Sequence, residues 1–309
     1  MKLLIQIPCY NEENVIAKTV RDIPKKIDGI DKISLLILDD GSNDKTLEIT
    51  KKINITYLLK NKTNIGLGKT FQKGLSFFKN SDYDILVNTD ADNQYKAENI
   101  KDLILPIIND QSDIVIGKRD IENIKTFSFL KKKLQKLGSF VVKIIVGQKI
   151  SDATSGFRAY NKISASKIKI FSKFSYTLES LIQASDNNLR IGEVSIYTNP
   201  PTRPSRLFKS NTQFIYNQLK IIIMCFAVYK PIPFFSLISS PFLFFGLYLI
   251  FRFLYYYIFF NYSGLIQSLI IANTLIFIAL IIFLLGIIGE LIKINRKVLE
   301  AQIDKKFEN

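Results

Sequence analysis

Short apolar runs alternate with amphipathic stretches over the first 200 positions of the chain. Runs of strand length fall at 3–8, 33–38, 55–59, 84–89 and 113–117. Between them, Glu12 to Lys26, Asp44 to Ile53, Leu67 to Lys79 and Ala97 to Ile108 have helical spacing. Strand–helix–strand alternation of this kind predicts an α/β domain with a mostly parallel sheet covered by helices on both faces. Burial on both faces explains why Leu35-Leu36-Ile37-Leu38 is continuous rather than alternating. Beyond position 230 the pattern changes. No charged residue occurs from Ile232 to Phe251, and none from Leu265 to Gly289. Each run reaches the roughly 20 residues that span a bilayer. The turn Asn261-Tyr262-Ser263-Gly264 joins them, so the pair reads as a transmembrane hairpin.

The expected organisation is a domain over 1–210, a juxtamembrane amphipathic helix over 211–230, two transmembrane helices within 231–292 (about 232–259 and 265–289) and a basic tail over 293–309. The opening Lys2-Leu3-Leu4-Ile5-Gln6-Ile7-Pro8 is too short for a signal peptide and reads as a buried strand.

Charge sharpens this picture. The formal net charge is +15, and residues 201–309, which hold the greasiest sequence, carry 11 basic side chains against 4 acids. Lys220 and Lys230 precede the hairpin, and Lys293, Arg296 and Lys297 follow it. The positive-inside rule then places both termini and the large domain in the cytoplasm, at the inner membrane. Arg252, beside Tyr255, Tyr256 and Tyr257, fits the far interface. The basic balance is directed at anionic membrane lipids and not at nucleic acid. From Lys125 to Lys149, seven lysines, Lys132 and Lys133 among them, interleave with apolar residues at near-helical spacing and no acid. That is the pattern of a helix lying on an anionic lipid surface.

Composition also excludes chemistry. The chain has no His, so Ser-His-Asp and Cys-His catalysts and His-ligated zinc are ruled out. Two cysteines, Cys9 and Cys225, build neither a zinc knuckle nor a disulfide framework. The segment Asn64-Ile65-Gly66-Leu67-Gly68-Lys69-Thr70 resembles a P-loop, but Thr63 stands where that loop needs its first Gly.

Ligands of parallel sheets bind beyond the carboxyl ends of the strands. The residues there are Pro8-Cys9-Tyr10-Asn11-Glu12, Asp39-Asp40-Gly41-Ser42, Asp90-Ala91-Asp92-Asn93-Gln94 and Gly117-Lys118-Arg119. Two carboxylates two residues apart repel unless a cation lies between them. Asp90 and Asp92, followed by the amide of Gln94, therefore suit a hard divalent ion bridging to a diphosphate, Mg²⁺ or Mn²⁺.

These clusters, followed by Thr154-Ser155-Gly156-Phe157-Arg158, occur in an order that resembles family 2 inverting glycosyltransferases with a GT-A fold. More narrowly the chain is similar to the dolichyl-phosphate mannose synthase and polyprenyl-phosphate glycosyltransferase group, over roughly residues 1–215. The resemblance implies roles. Pro8, Tyr10, Glu12, Asp39 and Asp40 would line the nucleotide site. Asp90 and Ala91 would meet the ribose or diphosphate. Asp92 and Gln94, with Asp90, would hold the metal, and Arg119 would grip phosphate near the reacting centre. Ser155, Gly156, Phe157 and Arg158 would lie on the acceptor side with Lys132 and Lys133. Arg203 and Lys209 match a pattern that closes over the diphosphate, or form a juxtamembrane basic patch.

The implied activity is transfer of a sugar from a UDP- or GDP-linked donor to undecaprenyl or dolichyl phosphate, with inversion. The resemblance also allows a homo-oligomer. A lipid phosphate is already anionic and needs no base, which fits a chain without histidine. A transferase acting on a glycolipid or another hydroxyl acceptor would need one, and Asp152 or Glu179 would have to serve. A processive polysaccharide synthase is excluded, because its Gln-x-x-Arg-Trp motif needs a Trp and the chain has none. A non-catalytic membrane scaffold would have no use for Asp90, Asp92, Gln94 and Arg119.

Overall fold

Strand β1 (Lys2–Cys9) is the middle of the fold and shows how the sequence builds it. Its odd positions Leu3, Ile5, Ile7 and Cys9 enter one core layer, while Leu4 enters the other. Because side chains alternate along a strand, a continuous apolar run feeds both layers at once. The first layer is closed by Ile16 of α1 (Ile16–Asp22) and, further along the chain, by Ile100, Leu103, Ile104 and Ile107. The chain then runs through β2 (Lys32–Asp39), α2 (Thr46–Lys52) and β3 (Tyr57–Lys60). Next, α3 (Leu67–Lys79) closes the second layer with Phe71, Leu75 and Phe78. Gly74 lets α3 settle on β1, because a Cβ there would collide with the Gln6 side chain. β4 (Ile85–Asn88), a short 3₁₀ turn (Ala97–Asn99), α4 (Ile100–Ile108) and β5 (Ile114–Arg119) follow.

Two further strands have weak periodic signals. β6 (Arg158–Asn161) has four residues of mixed polarity, and β7 (Ile191–Ile196) is a half-exposed edge. Between them lie α5 (Lys162–Lys167) and α6 (Thr177–Asp186). The seven-stranded order is β3-β2-β1-β4-β6-β5-β7. β6 runs antiparallel between β4 and β5, and every other neighbouring pair is parallel. The expected mostly parallel sheet is thus present, and the carboxyl ends of β1, β2, β4 and β5 face one side.

This is a computed structural model that describes residues 1–120, 142–143, 146–148, 150–173, 176–200 and 226–308, with isolated positions between 216 and 224. The chain divides into two units, Met1–Ile221 and Ile222–Asn309. The sheet belongs to the first. The second is a helical hairpin of α7 (Pro231–Phe260) and α8 (Ile266–Glu308), with Asn261 in the left-handed conformation at the end of α7. Both helices are long and apolar enough to cross a bilayer, and only 17% and 11% of their apolar windows are buried within the chain. The core helix of a soluble protein would be mostly buried, whereas these two leave most of their apolar surface exposed. The helices meet through small residues. Gly246 lies against Ile276 and the Ala272 carbonyl, and Gly289 against Pro231. Without water to drive apolar contact in lipid, such close backbone approach is what holds a helix pair together. α8 continues as helix through the expected basic tail, with Arg296 stacked 4.8 Å from the Tyr229 ring centre. Of the stretch expected as a juxtamembrane helix, positions 216, 219–220, 223–224 and 226–229 are helical. Lys132, Lys133 and most of the expected interfacial helix over 125–149, together with Arg203 and Lys209, lie outside the described residues.

Candidate active site

At the carboxyl end of the sheet, carboxylates crowd around one guanidinium. Asp39 ends β2 and is wholly buried. Its Oδ1 accepts the Ser42 amide at 3.2 Å, while Oδ2 is buried without a partner. An orphaned acceptor inside a protein is costly, and this one suits an N–H of a nucleobase. Tyr10 is 38% exposed at the same end of β1, and Pro8 is buried within the strand. Glu12 is buried, with its amide donating to Thr46 Oγ1 at 2.7 Å. Cys9 is no nucleophile, because burial and then Asp39 and Glu12 push its thiol well up.

Asp90 and Asp92 follow β4 on either side of buried Ala91. Asp92 Oδ1 accepts the Gln94 amide at 3.1 Å. Burial, then the Asp92 carboxylate and more distantly Glu12, push Asp90 up to about 7, against the pull of Arg119. The acids are close enough to repel and call for a cation between them. Among the described residues no three acidic, Cys or His side chains converge tightly enough to chelate an ion alone. An ion held by one or two carboxylates must complete its shell with phosphate oxygens, which is how Mg²⁺ ordinarily binds beside a nucleotide. The donor set of Asp92, Gln94 and Asp90 therefore fits a hard divalent ion.

Arg119 ends β5. Its Nε donates to Asp152 Oδ2 at 2.7 Å and its Nη2 to Asp152 Oδ1 and Thr154 Oγ1, both at 2.9 Å. Burial by itself would raise the Asp152 pKa, but Arg119 and the hydrogen bonds to it hold the carboxyl below its ordinary value. Asp152 is thus an ionised strut. Glu179 is also committed, with Oε1 accepting the Phe171 amide at 3.1 Å and Oε2 the Ser172 amide at 3.0 Å. Neither residue that a base-dependent transferase would require has the freedom of a general base.

Several expected site residues face inward. Asp40 Oδ1 accepts from Asn61 Nδ2 and the Ile65 amide, both at 2.9 Å, and Oδ2 from the Gly66 amide at 3.0 Å. It fixes the start of α3 and does not meet a nucleotide through that carboxylate. Ser155, Gly156, Phe157 and Arg158 are all buried, so none offers an acceptor an exposed side chain. Arg158 is fully enclosed and donates to the carbonyls of Ser155, Ala153 and Thr177 and to Ser180 Oγ. It shapes the loop from Asp152 to Gly156 from below.

That loop bears on the acids. Gly156 donates its amide to Tyr95 Oη at 3.0 Å, and its carbonyl accepts from Asn88 Nδ2 at 2.8 Å and Tyr176 Oη at 3.0 Å. Phe157 stacks on Tyr95 and Phe71 on Tyr176, so both phenols are held in place. A Cβ on Gly156 would lie 2.8 Å from Tyr176 Oη and 3.1 Å from Asp90 Oδ1. Gly156→Ala is expected to cost about 1–3 kcal/mol through overpacking and to displace Asp90. Thermal unfolding and Mn²⁺ titration of the variant check both effects. Sequence reading missed this network of Asn88, Tyr95 and Tyr176, which Gln6 joins by donating Nε2 to Asn88 Oδ1 at 2.9 Å. Its one local signal is a single polar residue, Gln6, inside the apolar run of β1.

Comparison with known proteins bears on this site. The profile of the family described as Glycosyl transferase family 2 matches residues 4–169. The chain is 34% identical over 217 residues to the UDP-N-acetylglucosamine–dolichyl-phosphate N-acetylglucosaminyltransferase of Methanococcus voltae, covering 62% of this chain and 83% of that one. It is 28% identical over 166 residues to the undecaprenyl-phosphate mannosyltransferase of Micrococcus luteus, covering 52% and 66%. Among solved structures, the glucosyl-3-phosphoglycerate synthase from Mycobacterium tuberculosis, crystallised with Mn²⁺, uridine-diphosphate and glucosyl-3-phosphoglycerate, superposes with a TM-score of 0.55. That match has 16% identity and covers 73% of this chain and 78% of the other, a likeness of fold.

Proposed function

Because the chain belongs to glycosyl transferase family 2, we propose that it moves a sugar from a nucleoside-diphosphate donor to a polyprenyl phosphate at the membrane. The observation that carries this reading is the pairing of Arg119 with Asp152, which orients a guanidinium at the carboxyl end of the sheet and commits a candidate base. Relatives named for dolichyl-phosphate and undecaprenyl-phosphate transfer support the acceptor class. The two apolar helices suit a membrane anchor, and the basic residues flanking them favour a cytoplasmic catalytic domain.

In this mechanism an anionic oxygen of the lipid phosphate attacks the anomeric carbon. The bond from that carbon to the donor diphosphate breaks, its electron pair leaves with the nucleoside diphosphate, and the configuration inverts. No proton has to be removed. The divalent ion, when bound, offsets the negative charge on the leaving diphosphate, and Asp92, Gln94 and Asp90 would hold it. Nε and Nη2 of Arg119 are fixed by Asp152 and Thr154, so the guanidinium plane is set before the acceptor arrives. Among the described residues Nη1 is the end that remains for a phosphate oxygen. A pre-oriented donor of this sort stabilises developing charge without reorganising.

The base site also favours one donor. Oδ1 of Asp39 is taken by Ser42, so a single carboxylate oxygen remains. One acceptor matches the single imide N–H of uracil better than the paired donors of guanine. With Mn²⁺ present, UDP is expected to raise the melting temperature of the detergent-solubilised chain more than GDP does. The deciding assay supplies a UDP-sugar with either polyprenyl phosphate or free polyprenol. The phosphate should be glycosylated and the alcohol inert. Turnover of the alcohol would overturn the lipid-phosphate reading.

A further inference from the structure

The acidic turn after β4 is held from two sides by residues remote in sequence. On one side, Thr19 of α1 donates to the Ala91 carbonyl at 2.7 Å, and Asp22 accepts from Asn93 Nδ2 at 2.8 Å. On the other, Asn199, three residues past the end of β7, donates Nδ2 to the Asn93 carbonyl at 2.9 Å. Its backbone amide donates to the Gln94 carbonyl at 2.7 Å, and Tyr95 and Thr198 form a β-bridge beside it. Asn93 itself sits at φ 57°, in the left-handed region. Such a turn persists when its surroundings over-determine it. The carbonyls of residues 91, 93 and 94 are thus all tied down around Asp92 and Gln94, the side chains assigned to the ion.

We infer that Asn199 is a positioning residue for the divalent-ion site, fixing the turn that aims Asp92 and Gln94 at the ion shared with the donor diphosphate. The inference rests on the metal reading above. Asn199 is half-buried, so its truncation opens no core cavity. Its backbone contact to Gln94 survives any substitution other than proline, and the side-chain contact to Asn93 is the part removed. Groups that orient metal ligands from behind typically contribute about 10–100-fold to metal affinity.

The test uses the full chain in detergent and measures free Mn²⁺ by electron paramagnetic resonance in the presence of UDP, with GDP in parallel. Asn199→Ala should raise the Mn²⁺ dissociation constant about 10–100-fold. The melting temperature without metal should stay near that of the native chain, and kcat should recover at saturating Mn²⁺. Thr19→Val, which loosens the opposite flank, should shift Mn²⁺ affinity in the same direction. Asn99→Ala is the control. It removes a bond to the Tyr197 carbonyl in the same segment without touching the acidic turn, and should leave Mn²⁺ affinity unchanged. Native-like affinity in Asn199→Ala overturns the inference alone, as does an equal loss in Asn99→Ala. A native chain that binds no Mn²⁺ with either nucleotide overturns the metal reading and the inference together.

Discussion

Asp92→Asn is expected to remove sugar transfer while leaving the chain folded and in the membrane. The side chain is half-buried and keeps its shape, and the amide oxygen can still accept the Gln94 amide, so the turn has no reason to collapse. What changes is charge. Lewis-acid stabilisation of a leaving diphosphate is worth several kcal/mol, so its loss corresponds to about 10²–10⁴-fold in rate. Removing one carboxylate also relieves the repulsion that pushes Asp90 up, so Asp90 should ionise at lower pH in the variant. The measurements are turnover against Mn²⁺ concentration and the melting temperature with and without UDP. Near-normal turnover in metal-depleted buffer would sink the assignment of Asp92.

Arg119→Ala and Asp152→Asn should both reduce turnover, and their effects should not add. Loss of an oriented electrostatic donor costs roughly 10²–10³-fold. Because Asp152 acts by holding Arg119 in plane, the double variant should be little worse than Arg119→Ala, the pattern of residues that work as one unit. This differs from what the sequence alone implies, since there Asp152 is a candidate base whose loss matters only to a hydroxyl acceptor. The pH profile separates the two roles. Asp152 is held below its ordinary value by Arg119, so the pair's contribution to stability is present above about pH 4 and lost as pH falls through the lower folded value. Between pH 6 and 9 Asp152 stays ionised, and turnover should show no acidic limb belonging to it. Glu179→Gln should lower stability by loosening residues 171 and 172 and leave the shape of that profile unchanged. A profile that loses an ionisation in either carboxylate variant, together with turnover of free polyprenol, would favour a base-dependent transferase.

Much of the architecture was legible locally. A buried parallel strand must feed two core layers, so β1 and β2 appear as unbroken apolar runs, and a bilayer demands a charge-free stretch of fixed length, so α7 and α8 stand out. The acids at strand ends were legible for a related reason, because polar residues that abruptly end a buried strand mark the rim where ligands bind. β6 escaped notice, since four residues of mixed polarity carry no period, and its place between β4 and β5 depends on pairing partners more than 40 residues away.

The sequence by itself determined the sheet, the hairpin, the absence of histidine chemistry and the set of charged residues available to the site. Only the tertiary structure decided which of those charges face a ligand. Asp40 and Asp92 both follow buried strands, yet one caps the approach to α3 and the other is half-buried on the turn after β4. Arg119 and Arg158 both lie in strands of one sheet, yet one meets a carboxylate at the rim and the other is enclosed by carbonyls. Periodicity reports how each segment is buried. The direction of a single polar side chain is set by which distant backbone groups need a partner, and contacts such as Asn199 with Asn93 or Thr19 with Ala91 exist only once the chain has closed on itself.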